Sequence, residues 1–116
     1  MQSLVKKEQL SDKELQTLLE ARDKGEVDFK LIDVREPFEY EMEHIVGTDE
    51  LLPTSSFYSW IEDLKNSQDN IILYCRTGNR SYQVQQILKQ QGKDVGNLTY
   101  GIVDYTGKVE SGKFKA

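Results

Sequence analysis

The chain is poor in the residues that form disulfide bonds and metal sites. It contains one cysteine and one histidine among 116 residues. A single cysteine cannot form an internal disulfide, and with one histidine it supplies too few soft ligands for a structural zinc site. We therefore expect no metal and no other cofactor. Because a free thiol persists in a reducing compartment, we also expect a cytoplasmic protein.

Long apolar runs and an excess of positive charge are also missing. No segment approaches the roughly 20 apolar residues of a membrane-spanning helix, and the first residues lack the apolar core of a signal peptide. The net charge of −5 argues against general binding of nucleic acid, which needs a basic surface. We therefore expect neither membranes nor nucleic acids as partners. The length is typical of one domain, which we assign to residues 1–116.

The order of apolar patterns predicts an α/β domain. Strand-like segments alternate with segments of helical periodicity, and the connections between them are short. The predicted strands are 4–8, 29–34, 71–74 and 95–100. The predicted helices begin near Ser11, Pro37, Ser55 or Ser56, and Ser81, and the first and last of them end near Gly25 and Gly92. This alternation indicates a largely parallel sheet.

Serine residues mark three of the predicted helix starts. Ser11 and Glu14 have the spacing of a capping box, in which each side chain binds the backbone N–H of the other residue. Ser55 or Ser56 is expected to cap the third helix, and Ser81 the fourth.

Spacing along two helices predicts which side chains are buried. Phe38 and Met42 lie four residues apart and are expected to share one packed face. In the last helix, Val84, Ile87 and Leu88 are expected on the buried side.

Residues 70–88 place a strand, a thiol, a cationic loop and a helix start in immediate succession. The strand runs into Cys75, and the loop that follows has Arg76 and Arg80 on either side of Gly78. Ligands of α/β sheets bind at the carboxyl ends of strands, and loop amides, a helix start and two arginines all favour a thiolate and an anionic substrate there. A cysteine at a strand end is more often a small core residue, but core strands do not normally run into two cations. We therefore predict that Cys75 is a nucleophile.

The spacing within this loop separates two kinds of chemistry. The sites of tyrosine phosphatases resemble His-Cys, then five residues, then Arg, because the loop must surround a phosphate. Here Tyr74 precedes Cys75, Arg80 lies only five residues beyond it, and Ser81 occupies the sixth position. The loop is one residue too short, and no aspartate general acid can be assigned. A cysteine phosphatase or an arsenate-reductase-like enzyme is therefore the less favoured alternative.

Three motifs in order resemble the rhodanese (sulfurtransferase) homology domain in its short, single-domain form. They are residues 31–40, residues 44–47 with Pro53, and residues 75–81. A weaker similarity lies at residues 100–105. The match spans about residues 4–105 and leaves 106–116 as a tail, which is a loop, a weak edge strand or a frayed end.

The resemblance implies a three-layer α/β fold with a mostly parallel five-stranded sheet flanked by helices. It also implies a reaction in two halves, in which Cys75 takes a sulfane sulfur from thiosulfate or another persulfide donor and passes it to cyanide or a thiol. The expected partners are a small anionic sulfur donor and a thiol or protein sulfur acceptor. By match to the motif, the substrate-binding residues are Arg76, Thr77, Gly78, Asn79 and Arg80. Residues expected to support the site structurally are Asp33, Arg35, His44 and Ser81.

The sequence departs from this family around the expected rim of the site and not in the loop. Glu43, Val46, Tyr100 and Tyr105 replace residues that are usual in the family, and the segment before Pro53 is one residue longer. These changes bear on the substrate and on the shape of the entrance.

Two further features have competing interpretations. His44 is either a general base or, as we favour, a residue that hydrogen-bonds a loop. The acidic segment 36–50 is either a solvated face or a docking surface for a basic protein partner. A persulfide carrier or docking module with little turnover of small molecules is therefore a second alternative function.

Overall fold

Five strands form one parallel sheet in the computed structural model, which describes residues 1–115. The strands of this sheet are β1 (Gln9–Leu10), β2 (Lys30–Asp33), β4 (Glu50–Leu51), β5 (Ile71–Tyr74) and β6 (Gly96–Leu98). Their order is β1-β6-β5-β2-β4, and each pair of neighbours runs parallel. The predicted α/β class and five-stranded parallel sheet are confirmed. The strand β5 lies at the centre, so its carboxyl end is flanked on both sides.

Within residues 1–115, four α-helices and three short 3₁₀ turns connect the strands. The helices are α1 (Asp12–Asp23), α2 (Pro37–Met42), α3 (Phe57–Asn66) and α4 (Asn79–Gln90). The 3₁₀ turns are Leu4–Lys6, Thr54–Ser56 and Ile102–Asp104. Within the described residues, no helix combines the length and apolarity needed to cross a membrane.

Side chains along the central strand alternate between two hydrophobic cores. Ile72 and Tyr74 belong to the core that α1 covers, whereas Ile71, Leu73 and then Cys75 belong to the core beneath α3 and α4. This alternation is the two-residue period of a strand buried on both faces. Helices thus cover both sides of the sheet, which gives three layers, and Cys75 lies on the α3/α4 side.

The capping box predicted for α1 is confirmed. The Ser11 hydroxyl accepts a hydrogen bond from the Glu14 N–H at 3.1 Å, and the Glu14 carboxylate accepts one from the Ser11 N–H at 2.9 Å. The helix ends at Asp23 before Gly25, whose φ of +75° lies in the left-handed region that favours glycine.

The predicted edge strand at 4–8 is wrong. Leu4–Lys6 forms a 3₁₀ turn, and the edge strand is the next segment, Gln9–Leu10. Its register is set by β6, because Gln9 pairs with Asn97 and Leu10 with Leu98. The partner strand, remote in sequence, therefore determines where this strand begins.

The packed face predicted for Phe38 and Met42 is also wrong. Their side chains are 65% and 73% exposed, and α2 instead buries Tyr40. A spacing of four residues places two side chains on one face of a helix, but it does not decide whether that face meets the core or the solvent.

Two of the predicted serine caps are absent. Ser56 occupies the N-cap position of α3 without a capping hydrogen bond, and Ser55 donates to the Glu36 carboxylate instead. Ser81 lies inside α4, which begins two residues earlier than predicted, with Gly78 at its N-cap position.

The buried face of α4 differs at one position from the prediction. Val84 and Leu88 are buried as expected, but Ile87 is more than one third exposed. Ser81 and Gln85 complete the buried face, because positions separated by three, four and seven residues lie on one side of a helix. Because Ser81 and Gln85 are polar, the spacing of apolar residues alone does not identify the buried face of α4.

Part of the C-terminal tail forms an edge strand, one of the three alternatives considered for it. The strand β7 (Val109–Glu110) pairs antiparallel with β3 (His44–Ile45) in a small second sheet. The last residue of the tail, Ala116, lies outside the described residues.

Candidate active site

Cys75 lies where the central strand ends and the chain turns toward α4. The strand stops at Tyr74, and α4 begins at Asn79, so the turn between them is short. Cys75 is only 1% exposed, and its side chain lies in the core formed with α3 and α4. We call residues 75–80 the cysteine loop.

Two hydrogen-bond donors point at the sulfur of Cys75. The Gly78 N–H lies 3.2 Å from Sγ, and the Ser81 hydroxyl lies 3.3 Å from it. The Ser81 hydroxyl also lies 3.3 Å from the Gly78 carbonyl oxygen, and its single proton can serve only one acceptor at a time. When the sulfur is a thiolate, the charge makes it the stronger acceptor. Ser81, which lies within α4, therefore donates a hydrogen bond to the thiolate form of Cys75.

The backbone of the cysteine loop packs against the segment that follows β6. The Ile102 N–H donates to the Cys75 carbonyl and the Val103 N–H to the Arg76 carbonyl, both at 3.0 Å. A Cβ atom at Gly101 would lie 2.2 Å from the Arg76 carbonyl oxygen, so only glycine permits this approach. The sequence motifs did not predict these contacts, although Gly101 in the weak similarity at 100–105 is a signal for them.

Gly78 is required by both its conformation and its surroundings. Its φ is +97°, and a Cβ atom there would lie 2.0 Å from the Thr99 carbonyl oxygen. The predicted need for glycine in a tight loop therefore has two causes, a left-handed backbone and contact with the end of β6.

A bidentate ion pair attaches the cysteine loop to α2. The two terminal nitrogens of Arg80 donate to the two carboxylate oxygens of Glu39 at 2.7 and 2.9 Å. The hydrogen bonds from Arg80 lower the pKa of Glu39 to about 2, and the same pair raises the pKa of Arg80. The charge of Cys75 acts in the same direction on Arg80, although less strongly than Glu39 does. Much of the charge of Arg80 is therefore balanced by Glu39.

The other residues of the cysteine loop have exposed side chains. Arg76, Thr77 and Asn79 all face solvent, and Arg76 takes part in no ion pair within residues 1–115. Asn79 is the first residue of α4, a helix of 12 residues whose first amides provide partial positive charge near the loop. Arg76 is thus the exposed cation of the cysteine loop.

Asp33 and Arg35 form a buried ion pair at the end of β2. The Arg35 Nη2 atom lies 2.8 Å from the Asp33 carboxylate and 2.7 Å from the Glu43 carbonyl oxygen. Burial raises the pKa of the Asp33 carboxyl, and the hydrogen bonds from Arg35 oppose that effect. The Arg35 guanidinium also lies over the Tyr74 ring, 5.6 Å from its centre. The pair connects β2 to Glu43, the residue that follows α2, and lies beside the strand that leads to Cys75.

His44 is buried, and its imidazole contacts Tyr40 on α2 and Glu110 on β7. Its Nδ1 atom lies 2.8 Å from the Tyr40 carbonyl oxygen, and its Nε2 atom lies 3.2 Å from the Glu110 carboxylate. The imidazole stacks on the Tyr40 ring with centroids 3.7 Å apart. These contacts agree with the hydrogen-bonding interpretation of His44 rather than with a general base, because both ring nitrogens have structural partners.

The comparisons with known proteins give the family of the chain. Residues 13–108 match the Rhodanese-like domain. The chain belongs to the rhodanese-like family. The predicted resemblance is therefore confirmed. No group of three or more metal-ligating side chains occurs in the described part of this rhodanese-like domain.

Two relatives of this rhodanese-like domain have names that refer to sulfur chemistry. It is 30% identical to a putative mitochondrial thiosulfate sulfurtransferase of Schizosaccharomyces pombe over 94% of the chain and 85% of that protein. It is 38% identical to the putative sulfur carrier protein YrkF of Bacillus subtilis over 69% of the chain and 43% of that protein. The chain spans less than half the length of several of the curated relatives that it matches.

A solved structure has the same fold. A rhodanese-related protein from Thermoplasma volcanium superposes with a TM-score of 0.72 over 90% of this chain and 98% of its own. The two sequences are 22% identical, so the likeness concerns the fold alone.

Proposed function

We propose that this rhodanese-like domain is a sulfurtransferase that carries a sulfane sulfur as a persulfide on Cys75. The main support is the position of the Cys75 sulfur, to which the Gly78 N–H and the Ser81 hydroxyl both donate. Two donors stabilise a thiolate, the form of cysteine that attacks a sulfur donor. The names of the fission yeast and Bacillus relatives agree with sulfur transfer or sulfur carriage.

The proposed reaction has two displacement steps on sulfur. The Cys75 thiolate attacks the outer sulfur of thiosulfate, a bond forms from Sγ to that sulfur, and sulfite leaves with the electron pair of the broken S–S bond. Cyanide or a thiolate then attacks the outer sulfur of the persulfide. The bond to Sγ breaks, and its electron pair restores the Cys75 thiolate. The cycle balances without an external oxidant, reductant or cofactor.

The proposed substrate-binding residues divide by accessibility. Arg76 supplies an exposed cation, and Thr77 and Asn79 line the outer side of the cysteine loop. Gly78 supplies an amide, whereas Arg80 acts within its ion pair with Glu39. This division favours a donor that places one negatively charged group beside Arg76. The outer sulfur of that donor would receive its other hydrogen bonds from the backbone amides of the cysteine loop.

The acidic segment 36–50 provides a smaller surface for a basic protein partner than its composition indicates. Glu36 accepts hydrogen bonds from Ser55, Glu39 binds Arg80, and Asp49 binds Arg22. The acidic side chains left for a partner are Glu41, Glu43 and Glu50.

The single cysteine and the reaction of its free thiol fit a reducing compartment, and we propose the cytoplasm.

Intact-mass measurement tests the proposed function. The protein is incubated with thiosulfate, and separately with inorganic polysulfide, and is then weighed. We expect a gain of one sulfur atom, which cyanide removes and which the Cys75→Ala variant never acquires. If neither donor adds sulfur to the native chain, the proposal is wrong.

The phosphatase alternative has its own assay. Turnover of an aryl phosphate or of arsenate by the native chain, lost in Cys75→Ala, would support that alternative over sulfur transfer. We expect no turnover for two reasons. Arg80 lies five residues beyond Cys75, so the loop is one residue too short to surround a phosphate. Tyr74 occupies the position of the phosphatase histidine, and it is buried with its hydroxyl 2.8 Å from Thr48.

A further inference from the structure

Two segments that hold the cysteine loop carry exposed apolar side chains. The first is α2, where Phe38 and Met42 lie on either side of the Glu39 that binds Arg80, and are 65% and 73% exposed. The second follows β6, where Tyr100 and Val103 are 67% and 59% exposed. We call these four side chains the apolar rim. Each segment bonds directly to the cysteine loop, α2 through Glu39 and the second segment through the Ile102 and Val103 N–H groups, so the apolar rim lies on the two segments that hold the loop.

Exposed apolar side chains are concentrated at this rim. Within residues 1–115, five large hydrophobic side chains are more than half exposed, and the apolar rim accounts for four of them. The fifth is Tyr58 on the first turn of α3. Isolated apolar residues on a surface are ordinary, but a group of them beside a reactive residue marks an interaction site. A small inorganic donor has no use for such a surface.

Acidic side chains accompany the apolar rim. Glu41 lies on α2 and Glu43 is the next residue after that helix, whereas Asp104 follows Val103. None of these three carboxylates takes part in an ion pair in the described part of the chain. The surface around the cysteine loop is therefore both apolar and negatively charged, apart from the exposed Arg76.

We propose that the apolar rim docks a protein whose acceptor cysteine lies on a surface of apolar and basic residues. The proposal rests on sulfur transfer through Cys75 and names the acceptor as a protein. Basic side chains of the partner would meet Glu41, Glu43 and Asp104, while its thiolate approaches Arg76. That thiolate forms a bond with the outer sulfur of the Cys75 persulfide. The bond from this sulfur to Sγ breaks, and its electron pair stays on Cys75 as a thiolate.

Two synthetic peptides provide a direct test. Both have one central cysteine and the same leucines, but lysines flank the cysteine in one and glutamates in the other. Cys75 is first loaded with sulfane sulfur by polysulfide, and loss of that sulfur to each peptide and to free cysteine is followed by intact mass. After correction for the thiolate fraction of each thiol, we expect the lysine peptide to react about tenfold faster than the glutamate peptide. We also expect the difference to shrink at high salt.

Variants of the surface identify where the peptide docks. Phe38→Ala with Met42→Ala should lower the ratio of the lysine-peptide rate to the free-cysteine rate by about fivefold, because buried apolar area is lost. Glu41→Lys should lower the same ratio. The matched controls are Ile87→Ala, two turns along α4, and Glu26→Lys, at the opposite end of the sheet, and neither should change it.

The possible outcomes separate this proposal from the proposed function. If Cys75 never takes up sulfur from polysulfide or thiosulfate, sulfur transfer itself is wrong. If Cys75 is loaded and reacts equally with both peptides, or if the rim variants leave the rate ratio unchanged, sulfur transfer stands and the docking surface is wrong.

Discussion

The Arg80 guanidinium binds both carboxylate oxygens of Glu39, and this contact joins the cysteine loop to α2. Arg80 lies five residues beyond the sulfur, and Glu39 lies between the two exposed apolar residues of α2. One ion pair thus connects the charge near the sulfur with the surface proposed to receive a partner. It also leaves Arg76 as the loop cation that faces solvent.

Removal of the Arg80 charge should slow the loading of sulfur. We expect Arg80→Met to load sulfur from thiosulfate about tenfold more slowly, because a cation in the cysteine loop favours the approach of an anionic donor. Intact mass followed over time measures the loading rate. Lys24→Met removes the same charge at the far end of α1 and is the control. Equal loading rates in Arg80→Met and the native chain would show that Arg80 has no electrostatic role.

The ion pair should make stability depend on pH in the acid range. The pKa of Glu39 is lowered from 4.5 to about 2, so the folded protein binds this proton less readily than the unfolded chain. The stabilisation is therefore complete above 4.5 and is lost as the pH falls toward 2. Because the Arg80 side chain is 36% exposed, solvent screening limits the effect to about 1 kcal/mol.

Urea unfolding of the native chain and of Glu39→Gln measures this dependence. Near neutral pH the native chain should be more stable than Glu39→Gln by about 1 kcal/mol. This difference should vanish as the pH approaches 2. Glu43→Gln, which removes an exposed carboxylate that forms no ion pair within residues 1–115, is the control. A constant difference between the native chain and Glu39→Gln at every pH would contradict the assignment.

Gly78→Ala should disrupt the cysteine loop. Its Cβ would lie 2.0 Å from the Thr99 carbonyl oxygen, so the loop or the end of β6 must move. We expect a loss of about 3 kcal/mol in the free energy of unfolding and a large loss of sulfur loading. Gly92→Ala separates the two causes, because Gly92 has a similar φ of +86° but a Cβ there would meet no atom within 4 Å. It should cost only about 1 kcal/mol.

Ser81→Ala should weaken the site without unfolding it. The variant loses the hydroxyl 3.3 Å from the Cys75 sulfur but keeps a residue that suits the helix interior. We expect about a tenfold lower rate of sulfur loading and a change in stability below about 1 kcal/mol. Ser59→Ala, which removes a hydroxyl that donates to the Ser56 carbonyl on α3, is the control. Equal loading rates in Ser81→Ala and the native chain would exclude a role for the hydroxyl.

Local chemistry explains which parts of the structure were predictable. The capping box of Ser11 and Glu14 depends on two residues three positions apart, and the structure contains it as predicted. The placement of Cys75 at a strand end before a helix is likewise a property of consecutive residues. Such features need no knowledge of distant contacts.

Features that depend on remote partners were missed or misplaced. The edge strand is set by pairing of Gln9 with Asn97, and the exposed face of α2 is set by the side that buries Tyr40. Ser81 has the residue type of a cap, but in α4 its hydroxyl faces Cys75 from within the helix. Each outcome depends on the three-dimensional neighbours of a residue and not on its position in a motif.

The sequence by itself determined the family, the α/β fold and the choice of Cys75 as the reactive residue, because motif order and apolar periodicity are properties of consecutive residues. Only the tertiary structure decided that Arg80 is paired with Glu39, that residues 102 and 103 donate to the loop carbonyls, and that Phe38 and Met42 face solvent. The reason is physical, since charge balance, close backbone approach and burial arise between segments that the chain brings together only when it folds.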